Sequence, residues 1–149
     1  MEIYKEFFSE IECYKIILKY SKKLTSSYIG NYEVNQSIRK SKSYLFRDEV
    51  IESKFHNPNN LLFQLQITEY NVGDHYTWHR DSLNRLETYV VILNTEFEGG
   101  YLQLKENENI SLDIGDCLKL EKNILHRVTP ITKGIRYSLV VWLSKEFNV

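Results

Sequence analysis

The sequence predicts a mainly β fold: a helical start leading into an antiparallel barrel or sandwich of roughly eight strands, the count of a jelly roll. Three observations carry this reading. From Leu61 onward, short apolar or alternating runs succeed one another at 61–70, 75–79, 87–93, 101–105, 117–120, 125–128 and 136–143. Turn chemistry separates them, in Asn71-Val72-Gly73-Asp74, Gly99-Gly100, Asp113-Ile114-Gly115-Asp116 and Lys133-Gly134. The chain has 149 residues, 42% of them hydrophobic, which suits one domain with a substantial core and excludes disordered and collagen-like classes. Residues 1–149 therefore read as a single domain, helical over about 1–56 and β over about 61–144.

The elements before the β region are justified in order. Ser9 and Glu12 form a capping-box pattern, and Ile11, Tyr14, Ile17, Leu18 and Leu24 then recur at helical spacing. Lys15, Lys19, Lys22 and Lys23 fall on what should be the wet face of that helix. Residues 25–45 are polar and rich in Ser, Lys and Asn, and read as loop with room for an edge strand. A second, shorter helix is expected from about Arg47 to Phe55, burying Val50, Ile51 and Phe55, and Asn57-Pro58-Asn59-Asn60 stops it. Cys13 and Cys117 lack paired motif spacing and read as buried thiols, and Trp78 and Trp142 as core aromatics.

Nineteen basic residues against twenty acidic ones give a net charge of −1, so no global pull toward nucleic acid or anionic membrane follows. The longest apolar stretch, Leu139 to Leu143, is far too short to span a bilayer. Met1-Glu2-Ile3-Tyr4-Lys5-Glu6 lacks the basic start and apolar run of a secretory signal. A soluble cytoplasmic protein is expected. Alanine is absent while Ile, Lys and Asn are abundant, the bias of an AT-rich genome. A virus, with the protein in host cytoplasm, or a low-GC microbe fits that bias.

The chemistry concentrates in His79, Asp81 and His126. On a strand, residues two apart share a face, so His79 and Asp81 can address one ion together. His126, 47 residues after His79, would complete a two-His-one-carboxylate facial set, which selects Fe(II) and leaves positions open for a cosubstrate and dioxygen. Ten residues after His126 stands Arg136, which by alternation shares a face with Ser138, Val140 and Trp142. An arginine among apolar neighbours needs a partner, and a carboxylate that its planar fork can grip is the natural one. A dicarboxylate would then bind iron at one end and Arg136 at the other. His56 and His75 read as solvated or capping residues.

These residues stand in a longer colinear pattern. It runs through Gln66-Ile67-Thr68-Glu69-Tyr70, Gly73-Asp74, Tyr76, Trp78-His79-Arg80-Asp81, Val91-Ile92-Leu93-Asn94 and Phe97-Glu98-Gly99-Gly100-Tyr101-Leu102. It continues in Gly115-Asp116, His126-Arg127-Val128-Thr129-Pro130, Gly134-Ile135-Arg136-Tyr137-Ser138 and Trp142. The pattern resembles the Fe(II)- and 2-oxoglutarate-dependent oxygenases of the prolyl-4-hydroxylase-like group, especially short phage and bacterial members. The resemblance implies a double-stranded β-helix, a jelly-roll barrel holding iron in one mouth. It implies His79, Asp81 and His126 as metal ligands, and Arg136 and Ser138 as partners of the distal carboxylate of 2-oxoglutarate. Tyr70 matches a tyrosine that hydrogen-bonds the cosubstrate, with Gln66 and Thr68 on the same wall, and Ile92 stands where hypoxia-sensing relatives place a second tyrosine. Fe(II), 2-oxoglutarate, dioxygen and ascorbate are the expected cofactors, and no side chain beyond the iron centre is expected to act catalytically. A proline in a peptide or protein is the expected substrate, with neither nucleic acid nor membrane as partner. The alternatives are a nucleobase N-methyl group, a free amino acid or other small metabolite, and an inactive barrel serving as a binding module. Substrate choice is expected in residues 25–45, around 71–76 and 82–86, because loops carry specificity.

Overall fold

A computed structural model of the protein describes residues 1–28 and 34–145. The first half holds β1 (Glu2–Tyr4), α1 (Glu10–Tyr20), β2 (Thr25–Ser26), β3 (Arg39–Lys40), β4 (Lys42–Phe46) and α2 (Glu49–Glu52). The barrel strands then begin with β5 (Leu62–Tyr70), β6 (His75–His79), β7 (Arg85–Ile92), β8 (Phe97–Gly99) and β9 (Leu102–Lys105). They end with β10 (Glu108–Ile110), β11 (Cys117–Leu120), β12 (His126–Val128), β13 (Ile131–Gly134) and β14 (Arg136–Ser144). One antiparallel sheet has the order β1-β11-β7-β14-β5-β4-β2, a second β10-β9-β12-β6-β3, and β13 pairs with β8. The mainly β class is as expected, and all seven expected runs are strands.

Alternation explains why the long strands sit where they do. Phe63, Leu65 and Ile67 of β5, Tyr89 and Val91 of β7, and Leu139, Val141 and Leu143 of β14 point one way, into a core shared with Phe8, Cys13, Ile16 and Tyr20. Each such side chain taken fully from water contributes about 1.5–3 kcal/mol. Their neighbours point the other way, and Tyr70, Val90, Leu118 and Leu120 meet Leu102 and Val128 of the second sheet in a smaller core. The first sheet therefore has a helical layer on one face and the barrel interior on the other.

Ser9 caps α1 as expected: its hydroxyl accepts from the Glu12 N–H at 3.1 Å, and Glu12 accepts from the Ser9 N–H at 2.8 Å. The buried face, however, is Cys13, Ile16 and Tyr20, while Ile11, Tyr14 and Leu18 are exposed. Both sets repeat at the same spacing, so periodicity alone does not choose between them. Tertiary anchors do. The Phe8 N–H donates to the Gly115 carbonyl at 3.0 Å, and the Tyr20 hydroxyl donates to Asp48 at 2.6 Å. Gly115 has φ +82°, and a Cβ there would lie 2.0 Å from the Phe8 carbonyl oxygen and 3.7 Å from Cys13 Sγ. Small side chains at 13 and 115 let the helix start press onto the barrel, which fixes its rotation. Lys15, Lys19, Lys22 and Lys23 do face water.

Two further corrections concern short elements, and the edge strand that 25–45 left room for is present. The second helix is one turn, Glu49–Glu52, capped by Asp48, and it buries Ile51 and Phe55 while Val50 stays exposed. The 25–45 segment contributes β4, paired with β5 from Lys42 opposite Glu69 to Phe46 opposite Leu65, and β2 beyond it as the edge. Gly99 and Gly134 lie within the β8–β13 pair rather than in free turns. Cys13 and Cys117 are buried free thiols, and burial pushes both up, to about 11 and about 12. Among the described residues, no helix is long and apolar enough to cross a membrane.

Asp116 ties the N-terminal segment to the turn before β11. Its carboxylate accepts from Lys5 Nζ at 2.5 Å, the Glu6 N–H at 3.0 Å and the Asp113 N–H at 2.9 Å. Burial pulls its pKa up, but these donors outweigh it and hold the carboxyl below the usual 3.8. Stability from this group is present above that ordinary value and lost as pH falls through the lower folded-state value. Thermal unfolding followed by circular dichroism between pH 7 and pH 2.5 tests this. Asp116→Asn should cost about 1–3 kcal/mol at pH 7 and flatten the acid limb of the stability curve. An acid limb parallel to the unmutated protein's would exclude Asp116 as its source.

Candidate active site

The metal-type cluster is built on a strand pair. His79 ends β6, His126 begins β12, and the two are direct cross-strand partners. The His79 Nδ1 lies 2.7 Å from the Thr77 carbonyl oxygen, and the His126 Nδ1 lies 2.9 Å from the Ile124 carbonyl oxygen. A carbonyl can only accept, so each Nδ1 is protonated and each Nε2 is the atom turned toward the cluster. Those Nε2 atoms lie 3.8 and 3.7 Å from Asp81 Oδ1, and the three ligand atoms are all within 4.8 Å of one another. Burial, with the neighbouring His126 ring, holds the His79 pKa below its ordinary value, so the imidazole stays neutral, the form that ligates a cation.

A second ring of contacts orients these groups. The Tyr76 ring stacks on His79 with centroids 3.5 Å apart and planes 9° apart. The Trp142 indole N–H donates to Asp81 Oδ2 at 3.3 Å, leaving Oδ1 for the cluster. Trp142 was expected in the core, and it is buried, yet its N–H serves the site. Trp78 takes neither place: it is half-buried, with the Arg127 guanidinium 4.7 Å from its ring centroid.

Arg136 opens β14 opposite Tyr70 of β5, and is 2% exposed. Its Nη1 donates to Ser138 Oγ at 3.2 Å, its Cζ lies 5.2 Å from the Tyr70 ring centroid, and its Nε has no hydrogen-bond partner. No carboxylate among the described residues pairs with it, and burial pulls its pKa down. An uncompensated buried cation costs several kcal/mol, so this is a site arranged for an anion. Gly100, at φ +59°, makes room: a Cβ there would lie 2.1 Å from Ile131 Cδ1 and 3.1 Å from Arg136 Cδ.

His79, Asp81, His126, Arg136, Tyr70 and Ser138 all line one cavity of about 940 Å³. Gln66, Thr68, Val140 and Trp142 line it too, as alternation along β5 and β14 requires. Residues 61–144 thus bring every expected site residue together. Of the expected specificity segments, 25–45 and 82–86 reach the cavity, whereas only Tyr76 does so from 71–76. Sequence reasoning missed Tyr76 as a stacking support, Trp142 as a hydrogen-bond donor and Arg39 as a lining residue. Trp142 shares strand parity with Arg136, which was a usable signal. Arg39 had none, because it reaches the site through a two-residue strand paired far away in sequence, opposite Tyr76.

Residues 65–144 match the profile of the 2OG-Fe(II) oxygenase superfamily. The chain belongs to that superfamily. A PKHD-type hydroxylase of Idiomarina loihiensis is 31% identical over 91 residues, covering 54% of this chain and 42% of that protein. The chain spans about half the length of the PKHD-type relatives it matches, 42% and 49% for two of them. A prolyl-4-hydroxylase of Pseudomonas putida superposes with a TM-score of 0.73 at 18% identity, over 96% of this chain and 91% of that one. A prolyl hydroxylase of Trichoplax adhaerens, in complex with a hypoxia-inducible factor oxygen degradation domain peptide fragment, gives a TM-score of 0.72 at 17% identity, over 97% of this chain and 83% of that one. At these identities the superpositions establish the shared jelly-roll fold.

Iron(II) and 2-oxoglutarate, the two components that name the superfamily, fit what the oxygenase cavity offers. Two imidazole Nε2 atoms and a carboxylate oxygen converge, and a buried guanidinium carries a free N–H in the same space. Anaerobic titration with Mn(II) should give one binding site in the unmutated protein and none in His126→Ala or Asp81→Ala, with β-sheet circular dichroism retained. Trp142→Phe, which keeps an aromatic ring but removes the indole N–H from Asp81, should weaken binding by roughly tenfold. Unchanged Mn(II) affinity in His126→Ala would show that the cation sits elsewhere.

Proposed function

We propose that the protein is an Fe(II)- and 2-oxoglutarate-dependent hydroxylase that inserts oxygen into a C–H bond of a peptidyl proline. The observation that carries the oxygenase part is the pairing, in one cavity, of a His79–Asp81–His126 donor set with the buried Arg136 guanidinium, whose Nε has no hydrogen-bond partner and with which no carboxylate among the described residues pairs. Iron(II), when bound, supplies dioxygen activation coupled to decarboxylation of 2-oxoglutarate to succinate. His79, Asp81 and His126 would hold it, each imidazole turned by its Nδ1–H···O=C bond and the carboxylate by Trp142. Arg136 would hold the far carboxylate of the cosubstrate with the N–H groups it does not spend on Ser138, with Tyr70 against the guanidinium. Val90, Leu102, Leu120, Val128 and Val140 give the cavity an apolar lining that keeps water from competing with the substrate.

The substrate part rests on likeness. The solved structures that superpose on this chain include two prolyl hydroxylases, one of them holding a peptide fragment, and the motif residues follow the prolyl-4-hydroxylase-like pattern. Incubation of proline-containing peptides with the protein, Fe(II), ascorbate and 2-oxoglutarate should add one oxygen atom to proline and stimulate succinate formation. Oxygen on another residue type would overturn the proline assignment and leave the oxygenase assignment standing.

Arg136→Lys keeps the charge and loses the fork, so the KM for 2-oxoglutarate should rise about ten- to a hundredfold, the loss of a charge-assisted pair. Steady-state succinate assays at varied cosubstrate concentration measure it. An unchanged KM in Arg136→Lys and Arg136→Ala would assign the carboxylate to another residue.

A further inference from the structure

Behind the donor set stands a column of three planar groups. The His79 imidazole stacks on the Tyr76 ring with centroids 3.5 Å apart, and the Arg39 Cζ lies 4.6 Å from the centroid of the same ring. With His79 that close on one face of the phenol, the guanidinium can only occupy the other. Tyr76 is therefore clamped between a group of the donor set and a group outside it. Strand pairing builds the column. Arg39 of β3 is the cross-strand partner of Tyr76 of β6, and such partners project to the same face of a sheet.

Arg39 is itself held at two points. Its Nη1 donates to the Tyr28 carbonyl at 3.0 Å and its Nε to Ser41 Oγ at 3.3 Å. The Ser41 hydroxyl donates in turn to Ser27 Oγ at 2.7 Å, and the Ser27 hydroxyl to Ser43 Oγ at 2.9 Å. Ser27 and Ser41 are buried, where a hydroxyl without a partner would be destabilising. Chained in this order, each hydroxyl fixes the direction of the next and the chain begins at Arg39. The relay joins β4 and the residue after β2, on the seven-stranded sheet, to β3 on the five-stranded one. The Ser-rich 25–45 segment thus supplies the frame of the column, although it is remote in sequence from both histidines.

We infer that Arg39 is a positioning residue of the donor set: anchored by the serine relay, it presses Tyr76 against His79 and fixes the plane in which Nε2 faces the cation. The inference rests on the reading of His79 as a metal ligand. The Nδ1–H bond to the Thr77 carbonyl holds one point of the imidazole, and a ring held at one point still rocks about it. A flat neighbour, itself backed by a flat group, removes that motion. A guanidinium has the plane this needs, and an ammonium does not. The charge of Arg39 works in the opposite sense, because it repels a cation at the far end of the column. Its contribution is therefore geometric, and variants that keep the charge constant isolate it.

The test is an anaerobic Mn(II) titration, with the visible spectrum of the Co(II)-loaded protein recorded beside it as a report on ligand geometry. Arg39→Lys keeps the charge and loses the plane, and Ser41→Ala removes the Nε anchor without touching the charge. Each should weaken Mn(II) binding about threefold and shift the Co(II) bands, and Tyr76→Leu should weaken it about tenfold, with circular dichroism confirming the fold. Tyr76→Phe, which keeps the ring, should recover most of that loss. In the Tyr76→Leu background Ser41→Ala should add nothing, because the anchor then has no ring to press. The KM for 2-oxoglutarate at saturating Fe(II) should not follow the Mn(II) affinity in Ser41→Ala, whereas a general loosening of the barrel would move both. Unchanged Mn(II) affinity and Co(II) spectra in Arg39→Lys and Ser41→Ala, or full additivity of Ser41→Ala with Tyr76→Leu, would overturn the inference and leave the ligand assignment standing. Mn(II) binding undiminished in His79→Ala would remove the ligand assignment and the inference with it.

Discussion

Three strands of this protein, β5, β7 and β14, are covered on both faces, and everything else follows from how differently the two faces are covered. One face carries Leu65, Ile67, Val91, Leu139, Val141 and Leu143 and is sealed by the N-terminal helix and its aromatic neighbours. The other carries Gln66, Thr68, Arg136 and Ser138, all buried, in the centre of the barrel. A strand with that pattern looks amphipathic in sequence, yet its polar face never meets bulk water. Buried polar groups must then find partners inside. Gln66 lies 3.5 Å from Thr68 Oγ1 and Arg136 donates to Ser138, but the supply ends one partner short, at Arg136 Nε. The helical layer is thus a condition of the site: it provides the apolar burial against which a cavity with an unpaired charge can be held open.

The cavity's electrostatics follow the same economy. Both histidines are oriented by backbone carbonyls that accept from Nδ1–H, so each ring turns its Nε2 toward the one carboxylate of the set. Arg136 stands apart from that set, deep in the barrel and steadied by the Ser138 hydroxyl and the Tyr70 ring. This arrangement keeps the guanidinium out of contact with the atoms that would hold a cation, while leaving its Nε–H available to an anion.

How far the chain could be read in advance depended on whether the relevant period was local. Strand alternation put Arg136, Ser138, Val140 and Trp142 on one face, and Gln66, Thr68 and Tyr70 on another, because a nine-residue strand repeats its own instruction several times. The helix was legible as a helix but not in its rotation. Ile11, Tyr14 and Leu18 are apolar at the same spacing as Cys13, Ile16 and Tyr20, and only Gly115 and Asp48, distant in sequence, decide between them. Two- to four-residue strands such as β1, β3 and β13 carry no pattern of their own and exist because a neighbour offers unpaired backbone groups. Arg39 was invisible for that reason: its place beside Tyr76 is a property of the pairing, not of the residues around it.

The direct pairing of His79 with His126 has a consequence for how such a barrel tolerates change. Their separation is set by the distance between neighbouring strands, about 5 Å, and not by the path of the chain that links them. The loops of the intervening segment can lengthen, shorten or exchange their surface without altering the grip of the two rings, as long as β6 and β12 keep their register and Asp81, β7, β9 and β11, which that segment also supplies, stay in place. Geometry that must be conserved is stored in the ladder, and sequence that must diversify is strung between its rungs.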